Sequence, residues 1–389
     1  MIRKKVLMAC ANYWNSPFQV GSHHLARGFI NSGWEVAFIS SPISPIHFLK
    51  LCNLNQLKKR FYSYYKRGSH EYEGRLWEYV PGALLTPYNK PVLKGKWLHR
   101  NWYRISYPNV IKEVKRNGFD DVDLLYIDDI TQHFWLNKIK YKKSVLRVAD
   151  YNVGFTAKYT NASKILEEEV AQSVDLVIYT AKKLEQYVKS MKPKDVLHVP
   201  NGVNFYHFNA CRDLELPEEY KNIPKPIVIY VGSMHEWFDF ETVNYAARCL
   251  PGVSFVFIGN AELAQVKLDK LSNIHLLGMR NYQNIPKYLH GADVGIIPFD
   301  IINHAELINS VNPLKLYEYM ACGLPVVSTE WEELKSLKTP ARLCKNREEF
   351  VKSIEESLNT PHNKNIYIDY AKQRDWSVAI NAILTRVNM

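Results

Sequence analysis

Lys315 and Glu318 stand three residues apart in NSVNPLKLYEYMACGLPVV (residues 309–327), so a helix there carries both on one face. Asn312 reads as the N-cap and Pro313 as a first-turn residue whose missing N–H costs nothing, while Gly323 stops the helix and Pro325 opens the next strand. A helix start offers unpaired N–H groups and the positive end of the dipole, which together suit a phosphate. Lys315 adds a full charge appropriate to a diphosphate, and Glu318, one turn deeper, is placed to accept hydrogen bonds from a ribose diol. Phosphate and ribose together mean a nucleotide. The competing reading is a solvated ion pair, which stabilises by only about a few tenths of a kcal/mol.

The run YVGSM (230–234) supplies a second contact: a strand ending at Gly232 and Ser233, whose backbones approach a ligand closely and donate hydrogen bonds, ahead of a helical run from Asp239. In the first half, Gly21 and Ser22 mark the handover from the first strand to the first helix within NSPFQVGSHHLA (15–26). His23 and His24 follow, serving either a site or a core. Asp150 falls just past a strand-like SVLRVA (144–149), where it is either a site carboxylate or a turn residue, and Asp128 and Asp129 end another strand and raise the question of a metal.

Positioning such residues takes parallel sheets. Strand-like runs at 5–10, 35–40, 123–128, 144–149, 175–180 and 195–200 alternate with helical patterns, and a second series follows at 226–234, 254–260, 274–278, 293–299 and 324–329. Between them, residues 201–225 lose periodicity and gain turn formers, the signature of a linker. The fold class is therefore α/β, with two doubly wound domains facing across a cleft where the topological rule places ligands. The expected division is 1–203, with a basic aromatic insert at 45–116, then 204–370, then a helix over 371–389 that finishes the second domain or crosses back to the first. A chain of 389 residues is long enough for two such cores.

From Lys50 to Arg116 there are 15 Lys and Arg against four acids, an excess as large as the +11 of the whole chain. Phe, Tyr and Trp crowd the same segment, and basic plus aromatic residues suit an anionic membrane surface. No nucleic-acid module accompanies them. The apolar run near the N-terminus is too short for a signal peptide or a span, and the six scattered cysteines read as reduced thiols, so the expectation is a cytoplasmic protein peripheral to the inner membrane face. No G-x-G-x-x-G follows the first strand, which argues against a dehydrogenase.

The blocks GSHHLARGFINSGWEVAFIS, HVPNGVN, VGSM, LLGMRNYQNIPKYLHGADVGIIPF and NPLKLYEYMACGLPVVST together resemble the GT-B fold nucleotide-sugar glycosyltransferases. RVADY (147–151) with ILEEEVAQSVDLVIYTAKKL looks most like the xanthan-type glucuronosyltransferases and related teichuronic-acid and exopolysaccharide enzymes. That resemblance implies a UDP-sugar donor, UDP-glucuronate among the options, held by Gly232, Ser233, Met234, Phe299, Pro313, Leu314, Lys315 and Glu318, with Gly21 approaching the diphosphate or acceptor. It implies Asp150 as the base that takes the acceptor hydroxyl proton, a lipid-linked or polysaccharide acceptor, and no metal or other cofactor. Retaining relatives carry a second glutamate eight positions before the one matching Glu318; Ser310 stands there, which favours inversion. The alternatives are a retaining enzyme of the same fold, a nucleotide-sugar epimerase, or a non-catalytic nucleotide-sugar-binding scaffold.

Overall fold

The computed structural model describes residues 3–48, 54–88, 90, 93–151, 160–210 and 215–389. The chain forms two compact units, residues 1–200 with 380–389, and residues 201–379.

In the first unit, runs of Val, Leu, Ile and Met bury both faces of a central sheet, as parallel strands covered by helices require. Its strands are β1 (Lys5–Cys10), β2 (Glu35–Ser40), β3 (Ser69–Glu71), β4 (Leu76–Tyr79), β5 (Asp121–Ile127), β6 (Lys140–Val148), β7 (Leu176–Tyr179) and β8 (Val196–His198). They lie in the order β3-β4-β2-β1-β5-β6-β7-β8, all parallel except β3 against β4. The chain leaves β1 toward β2 and returns on the opposite side at β5, so the topological switch point lies at the carboxyl ends of β1 and β5.

The second unit repeats the design with β9 (Ile227–Val231), β10 (Ser254–Ile258), β11 (Ile274–Gly278), β12 (Val294–Ile297), β13 (Val326–Thr329) and β14 (Arg342–Cys344). Their order, β11-β10-β9-β12-β13-β14, is a mononucleotide-binding half doubled about β9 and β12, where its own switch point falls.

Three strands escaped the sequence reading. β3 and β14 are three residues each, and β4 carries Glu78 in its middle, a residue that would ordinarily veto a buried strand. Glu78 is 3% exposed because Ser63 and Ser69 each donate a hydroxyl hydrogen bond to it, at 3.0 and 2.8 Å. The stretch expected as a linker is partly folded: it holds a helix over Phe205–Asn209 and a 3-10 turn over Glu218–Asn222, both in the second unit. The last helix, Trp376–Arg386, starts in the second unit and ends in the first, where Ile380 lies against Gly28 and Arg386 pairs with Asp195 at 2.7 Å. Cys10, Cys322 and Cys344 are buried free thiols and Cys249 an exposed one, while Cys52 and Cys211 lie outside the described residues.

Candidate active site

In the second unit, β9 delivers the chain to Gly232 at the switch point. Gly232 has φ +153, and a Cβ on it would come within 3.2 Å of Lys315 Cε and 3.0 Å of the Tyr230 hydroxyl. Gly259, at the end of β10 with φ +149, is held still tighter, since a Cβ there would run into the Gly232 carbonyl oxygen. Only glycine leaves the Lys315 stem room to cross the strand end. The Tyr230 hydroxyl donates to the Ser233 carbonyl at 3.0 Å and so fixes the turn.

The helix carrying Lys315 spans Leu314–Ala321. Its N-cap is Pro313, not Asn312, and no side chain caps it. Asn312 is claimed elsewhere: its Oδ1 accepts from the Tyr317 hydroxyl at 3.0 Å, and its Nδ2 faces Glu333 at 3.4 Å. The first-turn N–H groups are thereby left without a side-chain acceptor, the condition in which a helix end binds an anion. Deeper in the helix, the Tyr319 hydroxyl accepts the Val231 N–H at 2.7 Å, and Gly295 on β12 is the space into which the Tyr319 ring packs. Strand end and helix start are pinned together by one side chain. Gly323 closes the helix at φ +77, as expected.

Lys315 is half-buried, with its ammonium 4.8 Å from the Phe299 ring centroid and 5.2 Å from that of Tyr230. Among the described residues no carboxylate comes within ion-pair distance of it, Glu318 included. The solvated ion pair weighed from the sequence does not form. Burial pulls the Lys315 pKa down to about 8, against a smaller opposing pull from Glu318, and burial pushes Glu318 up to about 7, against Lys315. A cation and a carboxylate thus share one helix face, coupled through space but each without its countercharge, beside an uncapped helix start.

Of the other residues expected there, Met234 is 1% exposed and sends its side chain into the core, so only its backbone is available, and its N–H donates to the Asn260 carbonyl at 3.2 Å. Phe299 is buried under Trp331 and serves as a floor for Lys315. Pro313 is buried, and Leu314 and Ser233 are half-buried. Ser310 is buried with its hydroxyl donating to the Leu307 carbonyl at 3.1 Å.

The first unit gathers its candidates at the ends of β1, β5 and β6. Arg147, the last residue but one of β6, pairs with Asp128 at 3.0 Å with side chains 6% and 10% exposed, and Asp128 accepts the Ser22 hydroxyl at 2.7 Å. Gly21 opens the helix Gly21–Asn31, and a Cβ on it would collide with the Arg147 guanidinium. Asp150, two residues past β6, is half-buried; the Thr180 hydroxyl donates to the carbonyl of Ala149 just before it. Burial raises the Asp150 pKa, Arg147 pulls it down and Asp128 pushes it up. Asp129 has its own partners, accepting from Ser41 Oγ at 2.5 Å and from the backbone and hydroxyl of Thr131 at 2.9 and 2.7 Å.

His23 is a structural residue. Its Nδ1 accepts the Val20 N–H at 3.1 Å, its Nε2 lies 3.0 Å from the Tyr13 carbonyl oxygen, and burial lowers its pKa to about 4. His24 is also buried. Arg147 was missed in the sequence, although a charged residue inside SVLRVA signals a buried ion pair. Tyr230 and Tyr319 gave no signal beyond their aromatic character.

Residues 8–180 match the family model of the N-terminal domain of glucuronosyltransferase GumK, and residues 225–360 match that of glycosyl transferases group 1. TuaH of Bacillus subtilis (strain 168), described as a candidate teichuronic acid biosynthesis glycosyltransferase, is 25% identical over 184 residues; the match covers 46% of this chain and 46% of TuaH. This chain therefore spans about half the length of that relative. Among solved structures, sucrose-phosphate synthase from Thermosynechococcus elongatus superposes with a TM-score of 0.67 at 15% identity, over 99% of this chain and 98% of that one. Anabaena HepE in complex with UDP-glucose gives 0.62 at 15% identity, over 99% and 100%. At such identities the structural likeness is one of fold.

Proposed function

We propose that the chain, a glycosyltransferase of the GT-B fold, moves a sugar from a UDP-sugar to a lipid-linked or polysaccharide acceptor in cell-surface polysaccharide synthesis. The observation that carries the donor half is Lys315, a half-buried cation with no carboxylate partner among the described residues, at an uncapped helix start beside Gly232. Uridine is favoured because HepE has been solved with UDP and with UDP-glucose. Glucuronate as the sugar, and a teichuronic-acid-like acceptor, draw on the names of GumK and TuaH alone.

In this reading the diphosphate lies on the Leu314 and Lys315 N–H groups with the Lys315 ammonium against it, and Glu318 accepts from the ribose hydroxyls. Asp150 takes the proton of an acceptor hydroxyl as that oxygen bonds to the anomeric carbon. The bond from that carbon to the diphosphate breaks, and the leaving group departs with its charge offset by the helix end and Lys315. Attack opposite the leaving group inverts the anomeric centre. No metal is required by this arrangement.

The test is turnover with a UDP-sugar and a lipid-linked acceptor. Asp150→Asn is expected to lose about 10²–10⁴-fold in kcat while UDP affinity holds, and the product anomer is inverted. Full activity in that variant would remove Asp150 as base, a retained anomer would remove inversion, and epimerised free sugar without transfer would replace the transferase reading. Tighter binding of GDP, TDP or ADP than of UDP would overturn the uridine assignment.

A further inference from the structure

The segment that follows β8 is bonded to both ends of the helix Leu314–Ala321. At the start, Asn201 Nδ2 donates to the Asn312 carbonyl at 2.8 Å; at the finish, Asn209 Nδ2 donates to the Ala321 carbonyl at 2.9 Å. Both asparagines lie in the second unit, and Asn201 belongs to the block HVPNGVN (198–204). Far from being a slack connection, this stretch splints the helix that carries Lys315.

Its own backbone is fixed. A Cβ on Gly202 would collide with the Arg374 carbonyl oxygen, so only glycine lets the chain pass there. The Val203 N–H donates to that same carbonyl at 2.9 Å, and the Trp376 N–H donates to the Val203 carbonyl at 3.2 Å. Asp375 accepts the Phe205 N–H at 3.1 Å, and Asn204 caps the helix Phe205–Asn209 by accepting the His207 N–H at 3.3 Å. The Asn201 amide is therefore aimed by a pinned chain.

What it is aimed at matters for an anion. Pro313 has no N–H, so the peptide ahead of the helix offers an acceptor and no donor. That acceptor, the Asn312 carbonyl, adjoins the first-turn N–H groups of Leu314 and Lys315, and left bare it would set the negative end of a dipole beside any phosphate received there. Asn201 takes it. The neighbouring carbonyls are taken too, Val311 by Trp331 Nε1 at 2.9 Å and Pro313 by the Leu316 N–H at 3.2 Å. With three successive carbonyls engaged, N–H groups are what the helix start has left to present.

We propose that Asn201 is a positioning residue for the donor: by holding the Asn312 carbonyl, it keeps an acceptor out of the diphosphate site. The inference rests on the donor half of the proposed function. The test titrates UDP and uridine separately into the full chain, unaltered and as Asn201→Ala and Asn201→Asp, with Asn209→Ala loosening the other end of the same helix. Asn201 is half-buried, so its replacement leaves no closed cavity. Both Asn201 variants are expected to bind UDP at least about tenfold more weakly at pH 7 and uridine within about twofold of the unaltered protein, because uridine brings no phosphate to meet the freed carbonyl. Asn209→Ala should leave the ratio of UDP to uridine affinity unchanged. Relative to the unaltered protein, Asn201→Asp should regain UDP affinity as pH falls from about 7 to about 5, since a protonated carboxyl donates where a carboxylate repels.

Unchanged UDP affinity in the Asn201 variants would overturn the proposal. Equal proportional losses of UDP and uridine would do so as well, since Asn201 would then only brace the fold, and so would an Asn201→Asp deficit that persists at low pH. Failure of the donor assignment is read separately, as absence of nucleoside diphosphate binding in the unaltered protein.

Discussion

Asp150 and Arg147 show how residue chemistry is set by burial and one partner. Burial raises the Asp150 pKa from its ordinary value, and Arg147 restrains the rise while Asp128 adds to it. A base works deprotonated, so activity falls as pH drops through that raised value. Arg147→Met removes the charge that opposes the rise, and the acid limb of kcat/KM is expected to move to higher pH, with Arg147→Lys holding it near its original place. A limb that stays put in Arg147→Met would separate the two residues. The places of Asp150, Gly21 and Lys315 at strand and helix ends, and of Glu318 one turn deeper on the face of Lys315, were legible in the sequence. Arg147 was not read, because its meaning lies in Asp128, 19 residues earlier in sequence and on the neighbouring strand's end.

At the scale of elements, the helix Leu314–Ala321 is held in place by its own tyrosine. The Tyr319 hydroxyl takes the last N–H of β9, and the ring lies on Gly295 of β12, so one side chain sets the helix against both strands of the switch point. Tyr319→Phe leaves the Val231 N–H without this partner at a half-buried strand end and is expected to cost about 0.5–1.5 kcal/mol of stability, read as a lower denaturation midpoint, with weaker UDP binding. Unchanged stability and affinity would mean that the hydroxyl positions nothing. The strands themselves were legible because continuous apolar runs have few alternatives to a parallel sheet, and the helix was legible between its proline and glycine. Its cap was not: Asn312 is a good capping residue locally, but Tyr317 and Glu333 take its side chain. β4 was lost for the opposite reason, since the serines that make Glu78 tolerable come from flanking segments at positions 63 and 69.

For the molecule as a whole, charge and topology divide the work. No helix among the described residues is long and apolar enough to cross a membrane, and the excess charge lies in the first unit with Tyr62, Tyr65, Trp97 and Tyr107 exposed beside it. Peripheral binding to anionic vesicles is therefore expected to weaken with salt, and by about 1 kcal/mol for each of Lys58→Gln and Lys59→Gln. Indifference to both would remove the membrane role. The second unit carries the central claim, that its switch point grips a diphosphate through the helix start and Lys315. Calorimetric titration of UDP from about pH 6 to 10 tests this most directly, because Lys315 is charged below about 8 and must take up a proton to meet the diphosphate above it. Affinity should fall as pH rises through that value, beyond the change that Glu318 contributes nearer 7, and Lys315→Met should bind at least about tenfold more weakly at pH 7 and lose the part of the fall centred near 8. Equal UDP affinity in Lys315→Met and the unaltered protein, at every pH, would contradict the account.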